Sequence, residues 1–364
     1  MKWKHTITLC LLGGFLLAFG LWSVLRPADA ISETERRPLA QAPQWSLENA
    51  LSGKLADQVD SFSADQFPLR EEFRTLHFLA SYDLFRQRDV EGVYLWEGYA
   101  AKLDFPLRTE SVSHAAQRFQ YVYDSYLKDT DCKLYLSVVP DKGYFMAQSS
   151  GRPAMDYAAL VEQIRQETPY LSYIDIFGTL SLEDYYRSDA HWRQECLTDT
   201  ANVLAAGLGV DVRADYREHI LDKDYYGVYC GYASLPMEPE RVHYLTSDTL
   251  EGCVVTNFET GTQGAVYDMD KGLGSDPYEL FLSGSVSLLT VENPAAQTDR
   301  ELVIFRDSFA SSLAPLLLEG YSKVTLVDIR YLSPAQLGNF LEFGNQDVLF
   351  LYSTSVLNNS ETLK

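Results

Sequence analysis

The chain has 364 residues, 30 basic and 51 acidic, and its formal net charge at pH 7 is −21. Binding to nucleic acid needs a concentration of basic side chains, so this acidic balance argues against a nucleic-acid ligand. The length is sufficient for one large α/β domain with additional segments or for two domains, and we expect a single core.

The N-terminal segment, residues 1–30, contains an apolar run with charged flanks. Lys2 and Lys4 precede an uncharged stretch over 7–25, which Arg26 closes. As a helix this stretch spans roughly 28 Å, close to the thickness of a hydrocarbon core, which favours an uncleaved anchor. An Ala-Asp-Ala pattern just after it instead allows a cleaved signal peptide, and a buried core helix is the third interpretation. The first two predict an extracytoplasmic protein, membrane-anchored or secreted.

Residues 31–46 are polar and contain two prolines, a composition typical of a tether or of a strap across a domain surface. Beyond them, apolar periodicity indicates helices, and short apolar or alternating runs indicate strands. In chain order we predict helices over 47–62 and 69–86, short β structure over 92–103, a helix over 110–127, strands over 133–139 and 171–176, and a helix over 192–208. Residues 212–290 are rich in Tyr, Gly, Asp and Thr, and there we predict a mostly β insertion.

The C-terminal stretch has the clearest pattern. Apolar strands are predicted over 302–305, 324–327 and 348–351, with helices over 309–318 and from Ser333, where Ser333, Pro334 and Gln336 fit a capping box. This order gives a βαβαβ unit and a parallel sheet. Parallel sheets place functional residues at the carboxyl ends of their strands, which is where Asp307, Ser308 and Asp328 fall.

The cysteine spacing and the sequence motifs limit which cofactors, metals and disulfides the chain is expected to have. Of five cysteines, four lie outside the apolar run, which allows up to two disulfides with three alternative pairings. CxxC, G-x-S-x-G, Walker, G-x-G-x-x-G and H-E-x-x-H patterns do not occur in the sequence. A metal held by Asp189 and His191 would need a further ligand, and no other candidate ligand stands at a spacing from them that is typical of metal sites. We therefore predict neither a cofactor nor a metal.

Asp189 and His191 form a candidate base. In an extended segment, residues two apart point to the same side, so Asp189 is able to bind one ring nitrogen of His191 and leave the other free. The alternatives are a surface hydrogen bond or a helix cap. His219 and His243 are the next candidate bases.

Ser308 is the candidate nucleophile, at the turn between a buried strand and a helix. The alternative is a plain helix cap by Asp307 or Ser308. Together with Asp189 and His191 it makes a hydrolase-type triad, in which His191 takes the serine proton and Asp189 holds the imidazole tautomer.

Five segments carry a resemblance: YYRSDAHW, RDSFASSLAPLL, VTLVDIRYL, ISETERRPLA and ADQFPLREEF. Together they resemble the DHHW proteins of bacterial envelopes, which are similar to the SGNH-hydrolase-like domains of alginate O-acetyltransferases. The likeness covers nearly all of the chain beyond residue 31. It implies an SGNH-hydrolase-like α/β domain over 31–364, a parallel sheet flanked by helices, here with the β insertion.

The family motifs map onto individual positions of this chain. The Asp-x-His-Trp element falls on Asp189, His191 and Trp192, and the motif serine falls on Ser308. Ala190 replaces the first histidine of the family pair, Arg306 replaces a glycine, and Gly284-Ser285 replaces a Gly-Asn element. The resemblance thus suggests four residues that bind substrate or an oxyanion: Trp192, Arg306, Gly284 and Ser285.

The resemblance implies acyl-ester chemistry on envelope glycans or exopolysaccharides. The nucleophile would take an acetyl group from an integral-membrane donor partner and pass it to a sugar hydroxyl, as a transferase, or to water, as an esterase. The alternative is a non-catalytic envelope scaffold or glycan-binding protein on the same fold. A short distance between Ser308 Oγ and a His191 nitrogen favours catalysis, and a wide one favours the scaffold.

Overall fold

The computed structural model describes residues 2–32, 34–212 and 215–364. The chain forms two compact units. The N-terminal unit comprises Met1–Glu91 with Cys230–Met237, and the sheet unit comprises Gly92–Tyr229 with Glu238–Lys364. The boundaries drawn from the sequence at residues 30 and 46 stay predictions.

The N-terminal unit is mostly helical. Its elements are α1 (Lys2–Leu25), β1 (Ile31–Ser32), β2 (Arg37–Pro38), α2 (Leu47–Ser52), α3 (Lys54–Asp65) and α4 (Arg70–Leu79), followed by a π-helical turn at Ala80–Leu84. A single helix over 47–62 is wrong, because the chain turns at Gly53, whose φ of 84° lies in the left-handed region. Helix α2 starts where the Ser46 side chain accepts a hydrogen bond from the Asn49 amide.

Helix α1 is apolar and exposed. Its segment Trp3–Ser23 is long and apolar enough to cross a membrane, and none of that segment is buried in the structure. A core helix would be largely buried, so the interpretation of this segment as a core helix is wrong. The exposed helix fits a membrane anchor or an export signal.

Residues 31–46 are attached to the N-terminal unit by ion pairs. Arg37 Nη2 donates to Asp65 Oδ1 at 2.6 Å, and Glu35 pairs with Arg70. The hydrogen bond from Arg37 lowers the pKa of Asp65 to about 2, against the opposing effect of its partial burial. Glu35 and Arg37 are thus held by α3 and α4, and the choice between a strap and a tether for residues 31–46 stays a prediction.

The sheet unit is organised around one large sheet. Its strands are β3 (Val93–Trp96), β4 (Tyr99–Lys102), β5 (Lys133–Val139), β6 (Ser172–Tyr173), β7 (Arg217–Tyr225), β8 (Glu240–Thr246), β9 (Val254–Asn257), β10 (Thr262–Gly264), β11 (Leu288–Glu292), β12 (Glu301–Arg306), β13 (Lys323–Val327) and β14 (Asp347–Ser353). Eight of them pair in the order β10-β9-β11-β13-β12-β14-β5-β6, while β3–β4 and β7–β8 form separate hairpins.

The sheet is mixed. Strands β13, β12, β14, β5 and β6 run parallel, as predicted, and β11, β9 and β10 continue the sheet antiparallel. Strands β7 to β10 lie within residues 212–290, for which a mostly β insertion was predicted, and β9 and β10 join the large sheet. Alternating residues predict a strand but not the partner beside which it lies.

Helices cover both faces of the sheet. The helices of the sheet unit are α5 (Thr109–Val122), which ends in a π-helical turn at Tyr123–Leu127, then α6 (Lys142–Ser150), α7 (Tyr157–Glu167), α8 (Thr198–Leu208), α10 (Asp248–Gly252), α11 (Met269–Gly272), α12 (Ala310–Leu313) and α13 (Thr354–Asn358). Helix α9 (Val228–Ala233) begins in the sheet unit, and its residues from Cys230 onward belong to the N-terminal unit. Ile304 packs in the cluster that includes α8, whereas Phe305 stacks on Phe350 in the cluster with α5 and α7. Burial on both faces explains why the central strands are continuously apolar.

Three local predictions are corrected by the structure. The segment 309–318 forms α12 and then a 3₁₀ helix at Ala314–Gly320, and the α-helix predicted from Trp192 begins only at Thr198. Ser333 precedes a 3₁₀ helix and makes no capping hydrogen bond, so the capping box is wrong. All five cysteines are free thiols, so neither of the allowed disulfides is present.

Candidate active site

Ser308 lies at the carboxyl end of the central strand β12, at the turn before α12. The Asp307 carboxylate holds this turn: Oδ1 accepts from the Phe309 amide at 3.0 Å and Oδ2 from the Ser353 amide at 2.8 Å. Ser353 is the last residue of β14, the parallel neighbour of β12. The turn is therefore attached to two adjacent strands, which fixes the direction of the Ser308 side chain.

The structure brings Asp189, His191 and Ser308 into one hydrogen-bonded line. His191 Nδ1 lies 2.6 Å from Asp189 Oδ1, and His191 Nε2 lies 2.7 Å from Ser308 Oγ. With the ring proton on Nδ1 donated to the buried carboxylate, Nε2 is left to accept the serine proton. The His191 side chain is 19% exposed and that of Asp189 1%, so solvent reaches the base but not the carboxylate behind it.

Backbone amides hold the segment that carries Asp189. The Val228 amide donates to Asp189 Oδ2 at 2.7 Å, and the His191 amide donates to Oδ1 at 3.0 Å. The Gly227 amide donates to Ser188 Oγ at 3.0 Å, and the Tyr229 amide donates to the Ser188 carbonyl at 3.1 Å. Three successive amides thus fix the position from which the carboxylate reaches the histidine.

Gly227 and Glu240 complete this support. A Cβ at Gly227 would lie 2.2 Å from the Ser188 carbonyl carbon and oxygen, so only glycine fits against that peptide. The Glu240 carboxylate accepts from the amides of Arg187 and Ser188, both at 2.9 Å, and from Ser188 Oγ at 2.8 Å. Sequence reasoning missed both residues, because neither stands near Asp189 in the chain or in a recognisable motif.

Tyr278 orients the histidine ring, and it too was missed. Its ring stacks on the His191 imidazole with centroids 4.1 Å apart and an angle of 17° between planes. The Tyr278 hydroxyl hydrogen-bonds to Ser312 Oγ at 2.7 Å, and burial raises the pKa of Tyr278 well above its usual value, so the phenol keeps its proton. Trp192 Nε1 donates to the same Ser312 oxygen at 2.9 Å.

Trp192 and Arg306 are buried beside the candidate site. Trp192 also donates to the Phe309 carbonyl at 3.1 Å, which ties the histidine segment to the serine turn. Arg306 donates to Ser311 Oγ at 2.7 Å and the Val286 carbonyl at 3.0 Å, and its burial lowers its pKa. Neither side chain reaches solvent in this structure, and their binding of substrate or an oxyanion stays a prediction.

Gly284 lies in a turn whose own hydrogen bonds use its amide, and its role as an oxyanion donor stays a prediction. Its φ is 77°, and its amide donates to the Phe281 carbonyl at 3.1 Å, while its carbonyl accepts from Arg306 at 3.3 Å. Ser285, the next residue, is exposed. The Gly284 amide is therefore engaged inside its own turn, and so is the Phe309 amide, which donates to Asp307.

The remaining candidates have other partners. Asp328 is bound by Arg330, with Arg330 Nε 2.9 Å from Asp328 Oδ1. His219 and His243 lie on the β7–β8 hairpin, hydrogen-bonded to Thr246 and Glu218 respectively. Among the residues that the structure describes, no group of three or more His, Cys, Asp or Glu side chains is arranged to hold a metal ion.

The mostly parallel eight-stranded sheet flanked by helices confirms the predicted α/β fold. Comparison with solved structures finds the same fold in a DHHW family protein from Eubacterium siraeum, with a TM-score of 0.58, 18% identity, and coverage of 74% of this chain and 93% of that one. Bacillus cereus PatB1, in a structure with a sulfonyl adduct, is similar with a TM-score of 0.56, 16% identity, and coverage of 73% and 95%.

The O-acetyltransferase domain of Pseudomonas putida AlgJ is a more distant match, with a TM-score of 0.46, 13% identity, and coverage of 73% of this chain and 92% of that domain. The sequence itself matches no protein-family model and no curated protein. The likenesses to the DHHW family protein and to PatB1 establish the fold alone.

Proposed function

We propose that this protein is a serine-dependent O-acyltransferase or esterase that acts on cell-envelope glycans outside the cytoplasmic membrane. The observation that carries the proposal is the continuous hydrogen-bonded line from Asp189 through His191 to Ser308, with both links at or below 2.7 Å. That distance is the one expected for a serine with its base, and it favours catalysis over a non-catalytic scaffold.

The geometry supports a two-step reaction. As Ser308 Oγ attacks the acyl carbon of a donor ester, His191 Nε2 takes the hydroxyl proton and Asp189 stabilises the resulting imidazolium. The proton then passes to the departing alcohol of the donor, which leaves an acyl-serine. In the second step His191 takes a proton from a sugar hydroxyl or from water, that oxygen attacks the acyl carbon, and Ser308 is regenerated with the proton.

The choice of glycan and donor follows the family resemblance. A sugar bound beside the acyl-serine has a high effective concentration and outcompetes water when its hydroxyl is aligned with His191. An integral-membrane acyl donor is the proposed partner, and the exposed apolar helix α1 is the proposed export signal or anchor that brings the chain to the membrane.

Covalent labelling tests the nucleophile. Incubation with phenylmethanesulfonyl fluoride, followed by peptide mass spectrometry, should place a single sulfonyl group on Ser308, because its hydroxyl is the one paired with His191. Ser308→Ala should abolish labelling, while Ser125→Ala, which removes an exposed serine in the π-helical turn after α5, should leave it unchanged. Labelling that persists in Ser308→Ala would show that the nucleophile is another residue.

A second assay separates transfer from hydrolysis. Wild-type protein given a chromogenic acetyl ester should release the chromophore, and adding oligosaccharides should move labelled acetyl from free acetate onto sugar. Release of chromophore with no capture by any oligosaccharide would support the esterase. Absence of both labelling and ester cleavage in folded protein would support the scaffold.

A further inference from the structure

Two tryptophans mark the ends of the membrane-crossing segment of α1. Trp3 and Trp22 are 65% and 46% exposed. Along a helix their separation is roughly 28 Å, which matches a hydrocarbon core, and tryptophan favours the two membrane interfaces. Lys2 and Lys4 lie at the first end and Arg26 beyond the second. This register places Trp22 at the interface on the side of the folded chain.

Phe19 lies one helical turn deeper than Trp22, about 4.5 Å further into the hydrocarbon. Its ring stacks on Phe67 with centroids 5.4 Å apart and meets Phe73 at 5.9 Å. Phe67 and Phe73 also contact each other, with ring centroids 5.6 Å apart. The link from α3 to α4 and the first turn of α4 therefore reach the depth of Phe19.

Helix α4 presents an exposed apolar stripe on the side of Phe73. Leu69, Phe73 and Leu76 follow a spacing of four and three residues, which puts them on one helical face. They are 40%, 37% and 59% exposed, respectively. This α4 stripe is continuous with the anchor helix, because Phe73 belongs to both the stripe and the aromatic cluster around Phe19.

We propose that the α4 stripe is embedded in the outer leaflet of the membrane that α1 crosses. The N-terminal unit would then contact lipid through α4 as well as through its anchor helix α1. Interfacial helices bury their apolar face about 5–10 Å into the boundary between headgroups and acyl chains, which agrees with the depth set by Phe19. The three side chains of the stripe are apolar, and Glu71 and Glu72 stand in the first turn of α4. The contact therefore needs no anionic lipid.

Photo-cross-linking of the full chain tests this contact. The chain is reconstituted in phosphatidylcholine vesicles with p-benzoyl-phenylalanine in place of Leu76, of Leu17 or of Glu71. Leu17 is an exposed residue of α1 and reports lipid around the anchor. The Glu71 side chain is 43% exposed and lies about 140° or more around α4 from each residue of the stripe, so it is the matched control.

We expect illumination to add the mass of one phospholipid at Leu76 and at Leu17 and to leave position 71 without a lipid adduct. Adducts at Leu17 alone would overturn the proposal, as would equal adducts at Leu76 and at Glu71. A cross-link from position 76 to a second copy of the chain would show that the stripe contacts protein rather than lipid, and would overturn the proposal. Finding that the mature chain lacks α1 would also overturn it, because the register depends on a retained anchor.

Discussion

Gly227→Ala tests how closely the Asp189 segment must be held. The added methyl group would lie 2.2 Å from the Ser188 carbonyl and 2.4 Å from the Asp189 nitrogen, whereas ordinary contact begins at 3.4 Å. The peptide would have to move by about 1.2 Å, and Asp189 would move with it. A displacement of this size lowers the rate about 100-fold when a reaction depends on the alignment of its groups. We therefore expect sulfonylation of Ser308 to slow about 100-fold.

The measurement is the rate of sulfonylation followed by mass spectrometry, together with the thermal transition. Overpacking should also destabilise the fold by about 1–3 kcal/mol. Gly252→Ala is the matched control, since its methyl group would meet no atom within 4 Å. Labelling of folded Gly227→Ala at the wild-type rate would refute the reasoning. If Gly227→Ala does not fold, Glu240→Gln, which weakens the hydrogen bonds to the Ser188 amide and hydroxyl, should still slow labelling.

Three further predictions concern the base, an ion pair and location. His191→Ala should abolish ester cleavage and shift stability by no more than about 1 kcal/mol; retained activity would point to His219 or His243. Because Arg37 lowers the pKa of Asp65 from 3.8 to about 2, their stabilisation is complete above about pH 4 and lost as the pH falls towards 2. In Asp65→Asn the melting temperature should therefore depend less on pH between about pH 4 and pH 2 than it does in the wild type. The same dependence on pH in both proteins would contradict this prediction. Protease added to cells stripped of their outer layers should digest the protein; full protection would contradict an extracytoplasmic location.

The sequence predicted the parallel core because its strands are buried on both faces. Such strands read as uninterrupted apolar runs, and the predicted strand over 133–139 coincides with β5. Residues 212–290 were recognisable as β structure, but the antiparallel pairing of β9 with β11 and of β10 with β9 depends on contacts that the pattern does not contain. The break at Gly53 was missed because apolar spacing continues across it in the sequence.

The candidate site was predictable where it depends on short motifs. Asp189 and His191 are two residues apart, and Ser308 follows an apolar strand, so local patterns identify all three. Gly227 was missed because it acts through its backbone amide, which donates to Ser188 Oγ. Tyr278 was missed because it acts through the face of its ring, which stacks on His191. Neither kind of contact leaves a pattern in a single sequence.

Strand β14 joins two halves of the sheet that would otherwise be separate. It lies between β12 and β5, yet β5 ends at Val139 and β14 begins at Asp347. The β5–β6 pair is thus made early in synthesis but gains its neighbour only after a long intervening stretch of chain has been made. Closing so long a loop is slow. A chain that is still emerging therefore lacks a closed sheet, and its Ser308 turn lacks the Ser353 amide that holds Asp307, so the site forms only when folding is nearly complete.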